Sequence, residues 1–164
     1  MEDSKTLQNL MAAFAGESQA NRKYEIYAQK AEEEGKHNIA KLFRAASEAE
    51  KIHAKRELEV AGKVRSTADN LEDAIQGESH EYQSMYPEFI KAAEAEGNKD
   101  AVRIFTLAMK AEEVHANLYK EALVNIDKDE EATYYLCPVC GNIEKVRPER
   151  CPICGVPGEK FIKF

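Results

Sequence analysis

The sequence predicts an all-α four-helix bundle followed by a small four-cysteine metal domain. Three observations predict it. Four short motifs, Gly16-Glu17-Ser18, Glu50-Lys51-Ile52-His53, Gly77-Glu78-Ser79 and Glu112-Glu113-Val114-His115, recur in order along helical patterns. The chain repeats itself with an offset of about 62 residues. All four cysteines fall within the last 28 residues, as two Cys-x-x-Cys pairs.

The four motifs read as one metal site. Residues three apart share a helix face, so Glu50 with His53, and Glu112 with His115, each present a carboxylate and an imidazole to one point. Glu17 and Glu78 supply two further carboxylates from the other two helices. One Glu from each of two helices and a Glu-x-x-His from each of the others is the ligand set of carboxylate-bridged dinuclear sites in bundles. The spacing supports this, because Glu50 follows Glu17 by 33 residues and Glu112 follows Glu78 by 34. A solvated face is the ordinary fate of a helical Glu, as for Glu32, Glu33, Glu34 and Glu113. Glu17, Glu50, Glu78 and Glu112 fall instead on apolar stripes, where an unpartnered carboxylate is costly.

Each repeat reads as one helical hairpin. Ala31-Glu32-Glu33-Glu34-Gly35 recurs as Ala93-Glu94-Ala95-Glu96-Gly97, Ala40-Lys41-Leu42-Phe43 as Val102-Arg103-Ile104-Phe105, and Tyr24 as Tyr86. The offset is 61 at Glu17 and Glu78 but 62 at Tyr24 and Tyr86, so one residue entered the second repeat between Glu78 and Tyr86. That interval holds Glu81, on the face of Glu78. A π-bulge is expected there, since such bulges absorb single insertions and sit at functional sites.

In chain order, residues 4–34 read as the first helix, with Leu7, Leu10, Met11, Phe14, Glu17, Tyr24 and Ala28 at helical spacing. Ser4 is the expected N-cap and Gly35 the stop. Residues 37–61 read as the second, where Ile39, Leu42, Phe43 and Ala46 lead to Glu50 and His53, and Gly62 ends it. A connector of about eight residues, Lys63 to Asn70, follows. It is long for an antiparallel hairpin and is expected to cross the bundle end. Asp69 or Asn70 is the expected cap of a third helix over 70–96, with Pro87 in its interior as a kink. Residues 99–126 read as the fourth helix, with Val102, Phe105, Met109, Glu112, His115, Leu118 and Tyr119 inward. The organisation expected is a bundle over 1–128, a linker over 129–133 and a cysteine module over 134–164.

Composition narrows the function classes. Charged residues make up 32% and hydrophobic residues 43% of the 164, the balance of a soluble helical chain. The net charge of −7 argues against nucleic acid, which needs basic patches. No apolar run reaches the roughly 18 residues of a membrane span. Met1-Glu2-Asp3-Ser4-Lys5 carries no secretory h-region, so the cytoplasm is the expected compartment, where paired Cys-x-x-Cys motifs mean metal before disulfides. Cys137-Pro138-Val139-Cys140-Gly141 and Cys151-Pro152-Ile153-Cys154-Gly155 form two matching knuckles. Their thiolates suit zinc or a single iron, and the metal would fold a segment too short for an adequate core.

From Phe14-Ala15-Gly16-Glu17-Ser18 to Cys154-Gly155 these motifs resemble the rubrerythrin family, a ferritin-like di-iron bundle with a C-terminal rubredoxin-like domain. The resemblance implies a peroxidase that reduces hydrogen peroxide to water as an oxidative-stress defence. Electrons would come from reduced pyridine nucleotide through a reductase, a rubredoxin or both, entering at a C-terminal iron-thiolate centre. It implies two irons held by Glu17, Glu50, His53, Glu78, Glu112 and His115, with Glu81 as an additional carboxylate that exchanges with His53 as the redox state changes. It also implies one iron, zinc being the alternative, on Cys137, Cys140, Cys151 and Cys154. Tyr24 and Tyr86 match tyrosines that orient the carboxylates. Glu81, His53, Tyr24 and Tyr86 are therefore the expected catalytic residues. Two positions depart from the family pattern: only ten residues separate Cys140 from Cys151, and Asn142 stands where an aromatic commonly follows Cys-Gly. The competing function is a ferroxidase or iron-binding protein. A head-to-tail homodimer is expected, with one chain's cysteine module approaching the other's bundle.

Overall fold

The computed structural model describes residues 4–128 and 130–164. Residues 1–3 and Asp129, the first residue of the expected linker, lie outside them. The chain divides into two compact units, Met1–Arg65 and Ser66–Phe164.

The first unit is a hairpin of α1 (Lys5–Glu33) and α2 (His37–Val60). Ser4 caps α1, its hydroxyl accepting the Leu7 N–H at 3.1 Å. Gly35 ends it at φ 70°, a left-handed conformation that costs glycine nothing. The Lys36 N–H then reaches back to the Ala31 carbonyl at 2.7 Å. The seam between the helices is built of small residues. Ala28 and Ala31 on α1 meet Ala40, Ser47 and Ala54 on α2, all buried, the α2 set at a spacing of seven. Small side chains let the backbones approach closely enough for Asn21 Nδ2 to donate to the Ser47 carbonyl (2.7 Å) and hydroxyl (2.9 Å), while that hydroxyl donates to the Asn21 carbonyl at 2.9 Å. Ile39 and Leu42 lie off this seam and are exposed.

The second unit is another hairpin with the cysteine module attached. Its first arm is a helix in three segments: α3 (Thr67–His80), a π-helical turn (Glu81–Met85) and α4 (Tyr86–Ala95). The π-turn stands where the one-residue insertion predicts it, and the Tyr86 N–H bonds to the Glu81 carbonyl, five residues back. The expected cap at Asp69 or Asn70 is corrected to Ser66, whose hydroxyl accepts the Asp69 N–H at 3.1 Å. The helix therefore starts earlier and the connector is shorter than expected. Pro87 falls in the first turn of α4, directly after the π-turn, where a missing N–H is tolerated. Pro87 thus lies inside the segmented helix as expected, immediately after the inserted residue's π-turn. The second arm is α5 (Lys99–Val124), capped by Asn98, which accepts the Ala101 N–H at 3.1 Å. Ala93, Ala111 and Ala116 are buried in this hairpin.

The module is a three-stranded antiparallel sheet of β1 (Tyr135–Leu136), β2 (Ile143–Glu144) and β3 (Ile162–Lys163), with β1 central. Each knuckle closes with the same pair of bonds. Cys137 N–H donates to Asn142 O and Gly141 N–H to Cys137 O, at 2.8 and 3.0 Å; Cys151 N–H donates to Val156 O and Gly155 N–H to Cys151 O, at 2.8 and 2.9 Å. Buried Cys137, Cys151 and Phe161 form its small core. No helix among the described residues is long and apolar enough to cross a membrane.

Candidate metal centres

Three groups of ligand-type side chains come together. In the first hairpin they are Glu17, Glu50 and His53, with ligand atoms within 4.8 Å of one another. His53 Nδ1 lies 2.9 Å from Glu50 Oε2. Burial, a hydrogen bond to Glu50 and the charges of Glu50 and Glu57 raise the Glu17 carboxyl above its ordinary range. Like charges that crowd a site resist ionisation, and a bound cation would relieve that repulsion. Glu57 escaped the sequence analysis, although it follows Glu50 by seven residues and so shares its face. Its Oε2 is buried, with no hydrogen-bond partner among the described residues.

In the second hairpin the group is Glu78, Glu112 and His115. His115 Nδ1 stands 2.7 Å from Glu112 Oε2 and 3.8 Å from Glu78 Oε1. Burial, followed by the charge and hydrogen bond of Glu112, pushes Glu78 up to about 7. The hydrogen bond from His115 draws Glu112 below its ordinary range, and that same bond raises His115. Glu81, in the π-turn, is half-buried, and burial with the Glu112 charge raises it. Tyr86 is raised by burial and by the charges of Glu112, Glu81 and Glu78, so its hydroxyl lies in the field of all three. Tyr24 packs on Phe43 with ring centroids 6.0 Å apart. Glu113 is exposed, as the sequence predicts. His37 pairs with Glu32, which Arg44 and His37 hold below the usual carboxylate range.

The third group is Cys137, Cys140, Cys151 and Cys154. Cys137 and Cys154 sulfurs are 3.6 Å apart, as are those of Cys140 and Cys151. Tetrahedral metal–sulfur bonds of about 2.3 Å place sulfurs about 3.8 Å apart, so the four thiols fit one ion. Burial raises Cys140. At Cys151 desolvation acts in the same direction, yet the N–H groups of Cys154 and Ile153 overcome it and hold the thiol at about 7.

The second and third groups are joined. His115 turns Nδ1 to the carboxylates and Nε2 to the Gly141 carbonyl, 2.9 Å away in the first cysteine knuckle. Lys145 pairs with Glu121 of α5 beside it. An apolar cleft of about 420 Å³, lined by Leu71, Leu118, Ala122, Leu136, Ile143 and Phe164, flanks the imidazole. The module thus sits on α5 of its own chain. This corrects the expectation that the module lies too far from its own carboxylates, for the Glu78–Glu112–His115 group. The sequence carried no signal for it, because a backbone carbonyl has no residue identity.

Paired carboxylate–histidine helices and a four-thiolate module define a ferritin-like di-iron protein with an appended rubredoxin-like centre. Comparison with known proteins agrees over the whole length. The rubrerythrin profile matches residues 8–123, and the profile of the rubrerythrin rubredoxin-like domain matches residues 135–162. The chain belongs to the rubrerythrin family, whose members are oxidoreductases with a di-iron carboxylate site and a four-cysteine site. It is 39% identical to nigerythrin of Nitratidesulfovibrio vulgaris, over 97% of this chain and 86% of that protein. It is 36% identical to rubrerythrin-2 of Clostridium acetobutylicum, over 100% and 99%. The structure of nigerythrin in its fully reduced, all-ferrous state superposes with a TM-score of 0.61 at 39% identity, covering 99% of this chain and 88% of that one.

Proposed function

We propose that the protein is a non-haem di-iron peroxidase that reduces hydrogen peroxide to water in the cytoplasm. The observation that carries this reading is the double engagement of His115, which holds the carboxylate group on one ring nitrogen and the cysteine knuckle on the other. A histidine so placed links a one-electron thiolate centre directly to a peroxide-reducing site. It would serve no purpose in a ferroxidase that passes electrons outward to oxygen.

Glu17, Glu50, His53, Glu78, Glu112 and His115 would hold the two irons, with Glu81 as the added carboxylate. Ferrous iron bound there would supply the two electrons for cleavage of the O–O bond and would stabilise the charge that develops on its oxygens. The chain does the rest. Glu78, protonated up to about pH 7 in the metal-free hairpin, gives up its proton as metal enters. Tyr86, in the field of Glu78, Glu81 and Glu112, orients the carboxylates, and Tyr24 does the same for the first hairpin. A hard carboxylate would favour ferric iron and an imidazole ferrous iron, and this is the tuning role we assign to Glu81 and His53. Cys137, Cys140, Cys151 and Cys154 would hold a third iron able to take up one electron at a time, with an NAD(P)H-linked reductase or a rubredoxin as the donor. The protein works as a homodimer, which light scattering will test. The deciding experiment mixes the reduced, iron-loaded chain with peroxide in a stopped-flow cell. Three irons per chain, with the thiolate centre reoxidised after the dinuclear one, is expected. Zinc on the cysteines, or no coupled reoxidation, would move the assignment to a ferroxidase.

A further inference from the structure

Asn142 is the most deeply buried polar residue of the cysteine module, at 0% exposure, and its Oδ1 has no partner among the described residues. A buried acceptor left unpaired is a cost, and an apolar residue in its place would avoid it. Its backbone is fixed in the first knuckle, where its carbonyl accepts the Cys137 N–H at 2.8 Å. Its side chain crosses to the second. Nδ2 stands 2.9 Å from Glu144 Oε1 and 4.0 Å from Cys151 Sγ. An amide nitrogen carries two N–H groups, one for each of these neighbours.

The amide has two orientations of nearly equal shape, and its neighbours choose between them. Reversed, Oδ1 would face the Glu144 carboxylate, acceptor against acceptor. Glu144 therefore keeps the N–H edge toward the sulfur, with the unpaired oxygen on the far side. At 4.0 Å this edge acts as an oriented dipole over the sulfur rather than as a short hydrogen bond. Cys151 is itself buried, at 3% exposure, so no solvent competes for that face. Glu144 lies on β2, two residues beyond Asn142, and the pairing of Glu144 with Tyr135 in the sheet fixes its place.

We propose that Asn142, aimed by Glu144, raises the reduction potential of the four-thiolate centre. Reduction adds one electron and no proton, so the reduced centre carries one more negative charge, delocalised onto its sulfurs. A positive N–H edge over Cys151 stabilises that form more than the oxidised one. Asn142 acts through Cys151 and is a positioning residue. The inference rests on the reading of the centre as an iron relay, and it explains why a costly polar residue occupies a core position in a module of this size. A higher potential makes the centre an easier acceptor for an external reductase.

The test uses the full chain loaded with iron, and reads the midpoint potential of the thiolate centre from its visible thiolate-to-iron absorption. In Asn142→Leu the midpoint is expected to fall by the equivalent of about tenfold in the oxidised-to-reduced ratio, ~59 mV for one electron, with the absorption bands retained. A purely structural role would change thermal stability and leave the potential in place. Asn142→Ser, whose hydroxyl is too short to reach Cys151 from the same backbone, is expected to show the same fall and serves if the leucine variant does not take up iron. An unchanged or raised midpoint in an iron-loaded variant overturns this inference alone. Zinc in place of iron in the native chain overturns the relay reading and this inference with it.

Discussion

The two hairpins keep the same internal packing while their histidines differ. In the first, Tyr24 and Tyr27 pack on Phe43 with centroids 6.0 and 5.6 Å away. In the second, Tyr86 and Phe89 pack on Phe105 at 6.1 and 5.6 Å. Ala31 and Ala93 are buried alike, as are Ala54 and Ala116. Yet the His53 side chain is 56% exposed and that of His115 is 17% exposed. The second hairpin also has a π-turn, an extra carboxylate and a cysteine module seated on its imidazole. The repeat supplies ligands to both halves, whereas additions to one half make them unequal. The proposed roles of His115 as the fixed ligand and His53 as the exchangeable one follow this difference in burial.

The strongest way to sharpen this comparison is to remove the addition. Cys151→Ser leaves three thiols, and the module loses metal-linked folding free energy on the order of 10 kcal/mol. Hydrogen exchange should show the module open, α5 around His115 loosened, and the α1–α2 hairpin unchanged. Next comes the same operation applied to each hairpin. Deleting Gln83 from the π-turn should leave a regular helix that folds, with Glu81 turned away and peroxide turnover lost. Deleting Ala20 from α1 has no bulge to remove, so it should misalign the seam and cost roughly 3 kcal/mol or more in urea denaturation. Equal outcomes would break the comparison.

Histidine replacement probes the ligands directly. His115→Ala should lower iron affinity at least about tenfold and slow reoxidation of the thiolate centre, while His53→Ala should lower affinity and leave the link to the module in place. The metal-free chain should also show a pH dependence centred on the second hairpin. Glu78 binds its proton up to about pH 7 when folded, against an ordinary 4.5. The folded state therefore holds more protons over that window, and stability falls as pH rises through it. His115, also raised, contributes stability that is present below its ordinary value and lost as pH passes its folded one, in the same direction. Melting of the metal-free protein at pH 5.5 and 8 should show the loss, and saturating metal should abolish it. The smallest effect belongs to the first seam, where Ser47→Ala removes the two hydroxyl bonds to Asn21 and keeps the one to the Ser47 carbonyl, at a cost of about 1 kcal/mol in urea denaturation.

Most of this asymmetry was legible in the sequence as an offset of 61 that becomes 62. The two carboxylate–histidine groups were legible because a carboxylate and an imidazole three residues apart on a helix must share a face. The hairpin seam was not. Ala40, Ser47 and Ala54 carry weak hydrophobic signal beside Ile39 and Leu42, although close helix approach needs small residues rather than large ones. The start of α3 was misplaced because Ser66 and Asp69 are both good caps, and only backbone geometry chooses between them. The seat of the cysteine module was illegible for a different reason, since its contact with His115 runs through a main-chain carbonyl.

The π-turn has a historical meaning as well as a chemical one. An inserted residue normally rotates everything downstream by about 100° and scrambles a helix face. Five residues of wider turn, Glu81–Met85, confine that rotation, so Tyr86 and Phe89 still meet Phe105 as their counterparts meet Phe43. A duplicated gene could thus acquire a new carboxylate in a single step without re-evolving the packing on either side. Ancestral hairpins reconstructed without the extra residue should fold as symmetric pairs and bind metal, and the proposed peroxidase activity should date from its arrival.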